Sequence, residues 1–220
     1  MKIKQTMIMG CLGANMTLLF AGGAQAAASY CSVAGSPNPD GLSFSDMTFN
    51  GNNADDCYGV VAGNDNTGIN GLNLTWGTDW TFLTKDDAPG EVANGSGSFE
   101  GFSFALAADA GTSGSWTLTA TDENGAAPPN LPAYFDFVGV LKASDRYGLW
   151  YFEDAKVEVN NTGTFSIHFV NKGGNFPDLS HLSLYIRTGD DPGNELPEPG
   201  SLALLSLGLL GLGALRRNRK

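Results

Sequence analysis

The chain is poor in the residue types on which several functions depend. It has only 2 histidines and 3 cysteines in 220 residues, and their scattered positions do not match the ligand spacing of a zinc site. It has 12 lysines and arginines against 23 aspartates and glutamates. Because an acidic protein repels nucleic-acid phosphates and anionic membrane surfaces, we expect neither as a partner.

The first 26 residues predict a secretory signal peptide. Two lysines precede an apolar stretch over residues 7–24, and Ala24-Gln25-Ala26 has the small-x-small form of a signal-peptidase site. We expect cleavage after Ala26, with cleavage after Ala28 as the second choice. Signal peptidase is therefore the first processing partner that the sequence predicts.

Two cysteines, Cys31 and Cys57, remain after removal of the signal peptide. In an oxidising compartment outside the cytoplasm they are expected to pair as a disulfide, and no metal site is predicted from them. Closing a loop of this length stabilises the fold by about 3.5 kcal/mol in the chain-entropy model.

The region between residues 29 and 193 shows short runs of alternating apolar residues and no amphipathic helical pattern. In the clearest run, Trp116, Leu118 and Ala120 share one face. Clusters of Gly, Asn, Asp and Pro separate the runs, as turns require. We predict an all-β fold, a single jelly-roll-like β-sandwich ectodomain over residues 27–188. The predicted strands are 42–49, 58–62, 72–76, 80–84, 99–106, 115–121, 135–142, 149–153, 165–170 and 182–187.

The C-terminal end has a distinct composition. An acidic Pro/Gly linker over 189–200 contains Pro197-Glu198-Pro199, which its prolines keep extended. The apolar run 201–215 predicts a helix of about 22 Å, which is short beside a hydrocarbon core of about 30 Å. Four basic residues close the chain, namely Arg216, Arg217, Arg219 and Lys220. Such a cluster stops transfer and stays cytoplasmic, so the ectodomain is predicted on the other side of the membrane.

From Pro197 to its end the chain resembles the sorting signal of the PEP-CTERM class of exported bacterial proteins. The resemblance implies processing by an exosortase, a membrane transpeptidase, in bacteria that usually also make exopolysaccharide. It implies that Pro197, Glu198 and Pro199 are the recognition element. The expected path is an inner-membrane intermediate that faces the periplasm, followed by the cell surface or the extracellular space.

The expected function is a non-enzymatic structural or display role in the cell surface or matrix, associated with exopolysaccharide and without a cofactor. The first alternative is a carbohydrate-binding module. Trp76, Trp80, Trp150 and Tyr151 lie in predicted strands, where exposed rings could stack on sugars. Trp150 and Tyr151 alternate along one strand, so one of the two is expected to face solvent.

Calcium stabilisation of such a module is a further alternative. Carboxylate and amide oxygens, the ligands that calcium prefers, occur together in predicted loops, although no twelve-residue calcium loop is present. The candidate clusters are Asp55-Asp56, Asn64-Asp65-Asn66, Asp86-Asp87 and Asp190-Asp191.

A secreted hydrolase is the second functional alternative. His168 and His181 are the only histidines, and no nucleophile-elbow motif accompanies the many serines. Asp136, Glu153 and Glu158 could supply a carboxylate pair for glycoside cleavage, but an acidic chain offers such pairs by chance. We therefore expect no enzymatic activity.

The sorting signal yields a direct prediction. The Glu198→Ala variant is expected to remain in the membrane unprocessed, because the substitution removes the charged centre of the recognition element. The wild-type surface fraction is expected to lack residues 216–220 by intact-mass measurement. Asp190→Ala, a linker control outside the motif, should be processed normally. A wild-type surface form that retains Arg216 to Lys220 would contradict the prediction.

Overall fold

The computed structural model describes residues 28–31, 41–91, 95–125 and 130–194. The predicted signal peptide, the sorting motif, the apolar helix and the basic tail lie outside the described residues. Within the described ranges, no helix is long and apolar enough to cross a membrane.

Strands dominate the described part of the chain, together with three short 3-10 helices. The strands are β1 (Ser29–Tyr30), β2 (Thr48–Phe49), β3 (Asn52–Asn53), β4 (Asp56–Ala62), β5 (Thr81–Asp86), β6 (Gly95–Phe99), β7 (Phe102–Ala108), β8 (Ser113–Asp122), β9 (Ala133–Ala143), β10 (Arg146–Val157), β11 (Asn160–Ser166) and β12 (His181–Thr188). The large sheet has the order β1-β4-β10-β9-β12-β5, the small sheet has the order β11-β8-β7-β6, and β2 pairs with β3. The paired strands are antiparallel.

The small sheet has one apolar and one polar face, because its strands alternate. Along β8, Trp116, Leu118 and Ala120 are buried, whereas the intervening Thr117 and Thr119 are exposed. The outer face thus presents mainly serine and threonine hydroxyls, while the inner face enters the core. The predicted orientation of Trp116 and its neighbours is confirmed.

The inner faces of the two sheets pack against each other through aromatic side chains. The ring of Phe135 on β9 lies 5.7 Å from that of Phe102 and 6.1 Å from that of Phe104, both on β7. Phe49 stacks on Trp116 with 5.5 Å between ring centroids. The predicted all-β sandwich is confirmed. Consecutive β6, β7 and β8 form a meander within one sheet, so the connectivity is only loosely that of a jelly roll.

The outer face of the large sheet is also covered, by the long connection 63–80, which we call the covering loop. Ile69, Leu74, Trp76 and Trp80 of this loop form a second apolar cluster with the sheet. Their partners on the sheet are Val138, Val140, Tyr147, Leu149, Tyr151 and Tyr185. The strands at the centre of this sheet are therefore buried on both faces.

Four strand predictions need correction. Residues 72–76 belong to the covering loop, because Asn73 has a left-handed φ of 50° and the apolar side chains pack onto the sheet without joining a ladder. The predicted strand 99–106 is split by a two-residue turn at Glu100 and Gly101, both with positive φ.

The other boundary corrections concern the segments beside the edge strand β11. The predicted strand 42–49 begins with a 3-10 turn over Phe44–Asp46, which Ser43 caps. The predicted strand 165–170 lies mostly beyond β11, which ends at Ser166.

The predicted disulfide between Cys31 and Cys57 is confirmed, with 5.1 Å between their Cα atoms. Cys57 lies in β4 and is fully buried in the core between the sheets. The bond secures the two-residue strand β1 at the edge of the large sheet.

A buried carboxylate joins the covering loop to β12. Asp65 Oδ1 lies 2.8 Å from His181 Nε2, and Ser183 Oγ donates to Asp65 Oδ2 at 2.9 Å. Burial raises the pKa of Asp65, but hydrogen bonds and the charge of His181 outweigh it, so this pKa lies below its ordinary value. The ionised carboxylate therefore stabilises the folded state.

Asp65→Asn is expected to destabilise the fold by about 2 kcal/mol at pH 7, since the bonds to a charged acceptor are lost. Because the folded pKa is depressed, the contribution of Asp65 is present above the unfolded pKa of about 4 and disappears as the pH falls through the folded value. Urea unfolding from pH 7 to pH 2 should show the wild type and the variant converge in acid. The exposed control Glu91→Gln should leave stability unchanged; a constant difference for Asp65→Asn would contradict the prediction.

Candidate functional site

The β2–β3 hairpin forms one wall of the candidate site. Asn50 and Gly51 connect its strands with φ values of 48° and 82°, as a two-residue turn with two positive φ angles requires. The Asn50 side chain donates to Lys156 O at 3.1 Å and to Asn161 Oδ1 at 3.0 Å. It also accepts a bond from Thr162 N at 3.1 Å. The hairpin tip is therefore fixed against β10 and β11.

A bulge in β10 forms the opposite wall. The register between β10 and β9 shifts between Phe152 and Ala155, and Asp154 has a positive φ of 47°. The backbone nitrogen of Glu153 donates to Asp55 Oδ2 at 2.8 Å. The backbone nitrogen of Asp154 donates to Asp136 Oδ1 at 2.8 Å. Such a bulge changes the direction of side chains, as often occurs beside binding sites.

Between the hairpin and the bulge lies an open cleft of about 910 Å³, which we call the polar cleft. Its lining combines amides and carboxylates with two buried phenyl rings. The lining residues are Phe49, Asn50, Asn52, Asn53, Asp55, Phe152, Glu153, Asp154, Ala155, Lys156, Glu158 and Thr162.

The charge of the polar cleft is negative, because four carboxylates face one ammonium group. Lys156 Nζ donates to Glu158 Oε1 at 2.9 Å. This hydrogen bond and the charge of Glu158 raise the pKa of Lys156, so the cation remains paired. Amide and carboxylate oxygens can accept hydrogen bonds from hydroxyl groups, and the amide nitrogens can donate them. An uncharged polyhydroxyl ligand fits this chemistry better than an anion.

The aromatic residues predicted to bind sugars lie inside the protein. The exposed fractions of Trp76, Trp80, Trp150 and Tyr151 are 9%, 4%, 0% and 7%. The prediction that Trp150 or Tyr151 faces solvent is therefore wrong. Both faces of the large sheet are covered, so alternating residues on β10 enter either the sandwich core or the cluster beneath the covering loop.

Three of these rings surround an ion pair that fixes the covering loop, in which Asp136 is buried and Arg187 is partly exposed. Trp76 stacks on Tyr151 at 5.3 Å between centroids, and the Arg187 guanidinium lies 4.4 Å from the Trp80 ring centroid. Arg187 Nη2 donates to Asp136 Oδ2 at 2.7 Å. Burial and the charge of Asp136 raise the pKa of Tyr151, which therefore stays protonated. The cluster is structural, since its polar groups form hydrogen bonds with one another.

Carboxylates in the clusters predicted to bind calcium accept hydrogen bonds from other groups of the protein. Asp56 accepts from Trp76 Nε1 at 3.0 Å, and Asp86 accepts from Ala108 N at 2.7 Å. Among the described residues, no three His, Cys, Asp or Glu side chains converge as metal ligands. Calcium binding stays a prediction.

The polar cleft itself was not predicted from the sequence. The Asn-Gly pair indicates the hairpin turn, but nothing in the sequence indicates that this turn faces a bulge about a hundred residues later. Of the three acids considered as a carboxylate pair, Glu153 and Glu158 lie in the polar cleft, whereas Asp136 forms the ion pair with Arg187.

Residues 195–220 match the family model of the PEP-CTERM protein-sorting motif. No curated protein and no solved structure matches the chain. The matched segment contains Pro197, Glu198, Pro199 and the basic terminus. The chain thus carries the sorting signal of a protein that an exosortase processes. This signal implies export and a membrane-anchored intermediate, followed by the surface.

Arg187→Met is expected to destabilise the fold by about 3 kcal/mol, because Asp136 would remain buried without its cation. The double variant Arg187→Met/Asp136→Asn should lose less than the sum of the single variants, since an amide needs no counter-charge. Urea unfolding at pH 7 measures both. Lys85→Met is the matched control, because Lys85 is about as exposed as Arg187 but its partner Asp87 is exposed rather than buried, and its loss should be at most about 1 kcal/mol. Equal losses for Arg187→Met and Lys85→Met would contradict the assignment.

Proposed function

We propose that this PEP-CTERM protein serves a non-enzymatic display role at the cell surface or in the matrix, where its polar cleft holds neutral chains of exopolysaccharide. Signal peptidase and an exosortase are its processing partners, and the inner membrane holds it transiently through the C-terminal helix. Display is the part of the proposal that the sorting motif supports. Glycan binding is the part that the polar cleft supports.

The observation that carries glycan binding is the composition of the polar cleft. Asn52, Asn53 and Glu153 are exposed on its walls, where they can exchange hydrogen bonds with sugar hydroxyls. The rings of Phe49 and Phe152, each 4% exposed, form the floor beneath them. Fixed polar groups in a concave site orient a ligand through its own donors and acceptors. We propose binding without turnover here.

Charge selects among the possible polymers. Residues 27–196 contain 6 lysines and arginines against 22 aspartates and glutamates, which gives a net charge of −16. A chain rich in uronate or sulfate would be repelled at low salt, and only short-range contacts could offset that repulsion. The preferred ligand is therefore a neutral polysaccharide.

The path of the chain is compatible with display. The last strand of the described residues, β12, ends at Thr188. The acidic Pro/Gly segment that follows is predicted to act as a spacer before the sorting motif. The spacer would keep the ectodomain away from the membrane surface while the motif remains accessible to its enzyme.

Binding of neutral and of uronate-containing exopolysaccharide to the full chain can be measured by calorimetry. The neutral polymer is expected to bind, and Asn52→Ala/Glu153→Gln is expected to weaken it at least tenfold, since about 1.5–3 kcal/mol accompanies a hydrogen bond to a charged group. Asn66→Ala, in the covering loop, is the matched control and should bind like the wild type. No binding by the wild type, or equal binding by the cleft variant, would contradict the proposal.

A further inference from the structure

Three side chains beside the edge strand β11 form a continuous line of hydrogen bonds. His168 Nδ1 lies 2.6 Å from Asp46 Oδ1, and His168 Nε2 lies 3.4 Å from Ser166 Oγ. These contacts place a hydroxyl, an imidazole and a carboxylate in the order that acyl-transfer enzymes use.

Local structure explains why these three residues meet. Ser166 ends β11, and His168 follows two residues later, so their side chains can lie on the same side of the extended chain. Asp46 ends the 3-10 turn that precedes β2, and the next residue, Met47, forms an isolated bridge with Phe165. This bridge brings the carboxylate of Asp46 beside the imidazole.

The carboxylate is fixed, whereas the imidazole is accessible. Asp46 is 2% exposed, and its second oxygen accepts a bond from Ser43 N at 2.7 Å. The His168 side chain is 54% exposed. When Nδ1–H donates to Asp46, the lone pair of Nε2 faces the Ser166 hydroxyl, which is the arrangement of a general base. The separation of 3.4 Å is long for a hydrogen bond, as is common in sites without substrate.

A small open pocket of about 200 Å³ adjoins this line. Phe176, with 59% of its surface exposed, forms an apolar wall of the pocket. Ser113 lies directly opposite Ser166 in the β8–β11 ladder, and this residue also lines the pocket. Residues directly opposite each other on one face have Cβ atoms about 5 Å apart. The Ser113 hydroxyl is thus in reach of an oxyanion that forms on a group attached to Ser166.

The other histidine makes a different arrangement. Asp65 lies between His181 and Ser183 and binds both, so its carboxylate occupies the position that a histidine would need to activate the serine. All three side chains are buried. The described part of the chain thus has two histidine clusters. Only the cluster of Ser166 and His168 combines a hydroxyl–imidazole contact with an accessible pocket.

We infer that Ser166 is an acyl-accepting nucleophile, that His168 is its general base, and that Asp46 is the positioning residue, in a site that hydrolyses esters of short acyl chains. The small pocket and its phenyl wall suit a short acyl group, and the open side leaves room for a bulky alcohol. This activity is separate from glycan binding in the polar cleft. It goes beyond the proposed display role and replaces the non-enzymatic part of that proposal.

The reaction requires only water and the ester. Ser166 Oγ bonds to the acyl carbon while its proton moves to His168 Nε2, and the Ser113 hydroxyl donates to the developing oxyanion. The bond to the alcohol oxygen then breaks, and His168 returns the proton to that oxygen. Water next attacks the acyl-serine with His168 as base, which releases the acid and restores Ser166. Ester and water thus give acid and alcohol.

The nucleophile can be tested with a fluorophosphonate, which loses fluoride as its phosphorus bonds to an activated serine. The full wild-type chain is expected to form one adduct, which peptide mass spectrometry assigns to Ser166. Ser166→Ala should abolish the adduct, whereas Ser115→Ala, on the same outer sheet face but outside the pocket, should leave it unchanged. A wild-type chain without an adduct, or with the adduct on another serine, overturns the inference.

The base is tested by rescue. His168→Ala is expected to slow labelling of Ser166 at least 100-fold, in the range of general-base catalysis. Added imidazole should restore labelling, since the position is exposed and a purely structural histidine would not be replaced by free imidazole. Unchanged labelling of His168→Ala, or a loss that imidazole does not restore in a variant with wild-type unfolding, counts against the base.

The positioning residue is tested by turnover of p-nitrophenyl acetate. Asp46→Asn is expected to lower kcat at least tenfold with an unchanged KM, because the amide presents a donor to His168 Nδ1 and reverses the tautomer. Wild-type turnover that is indistinguishable from that of Ser166→Ala overturns the esterase assignment. An unchanged kcat in Asp46→Asn would contradict the assignment of Asp46 as the positioning residue.

Discussion

Burial of both faces of the large sheet is the constraint on which the rest of this structure depends. One face packs on the small sheet, and the other packs beneath the covering loop. The central strands β9 and β10 are therefore largely apolar on both sides, as Val138 and Val140 on one side and Phe137 and Leu141 on the other show for β9. Removal of either cover would expose contiguous apolar surface to water, at a cost of about 25 cal/mol per Å².

The acidic composition serves this architecture in two ways. Buried carboxylates join separate segments of the chain. Asp56 and Asp65 hold the covering loop, and Asp46 contacts His168 just beyond β11. Asp86 joins β5 to β7, and Asp136 joins β9 to β12 through Arg187. Each has a donor from another segment, so their burial is tolerated. The exposed carboxylates, including those that line the polar cleft, make the surface negative.

Sequence patterns predicted the fold correctly where the alternation of apolar residues decides which side chains are buried. They failed where the covering loop, a third layer on the large sheet, decides it. The sandwich, the inward direction of Trp116 and the disulfide follow from alternation, turn residues and compartment. Trp150 and Tyr151 were expected to differ in exposure, which holds only when one face of a sheet meets water. The covering loop shields the second face of the large sheet from water. Its own apolar residues have the sequence pattern of a strand because they also pack on a sheet.

The candidate sites were harder to predict, because they join residues that are distant in sequence. Phe49 and Phe152 meet in the polar cleft across two elements, and Asp46 reaches His168 through a bridge that no local pattern indicates. Single residue types were recognised as candidates, as for His168 and Glu153. Their partners depend on the order of strands and on a bulge, neither of which is encoded in a short window.

The position of β12 governs how the molecule responds to a mechanical load. Among the residues that the structure describes, this strand is the last, yet it lies inside the large sheet, with β9 on one side and β5 on the other. Force applied through a tethered C-terminus enters the domain at the end of β12. Extraction of the strand must rupture two ladders of backbone hydrogen bonds and withdraw Leu184 and Ile186 from the core. A domain pulled through an interior strand therefore resists peeling better than one pulled through an edge strand.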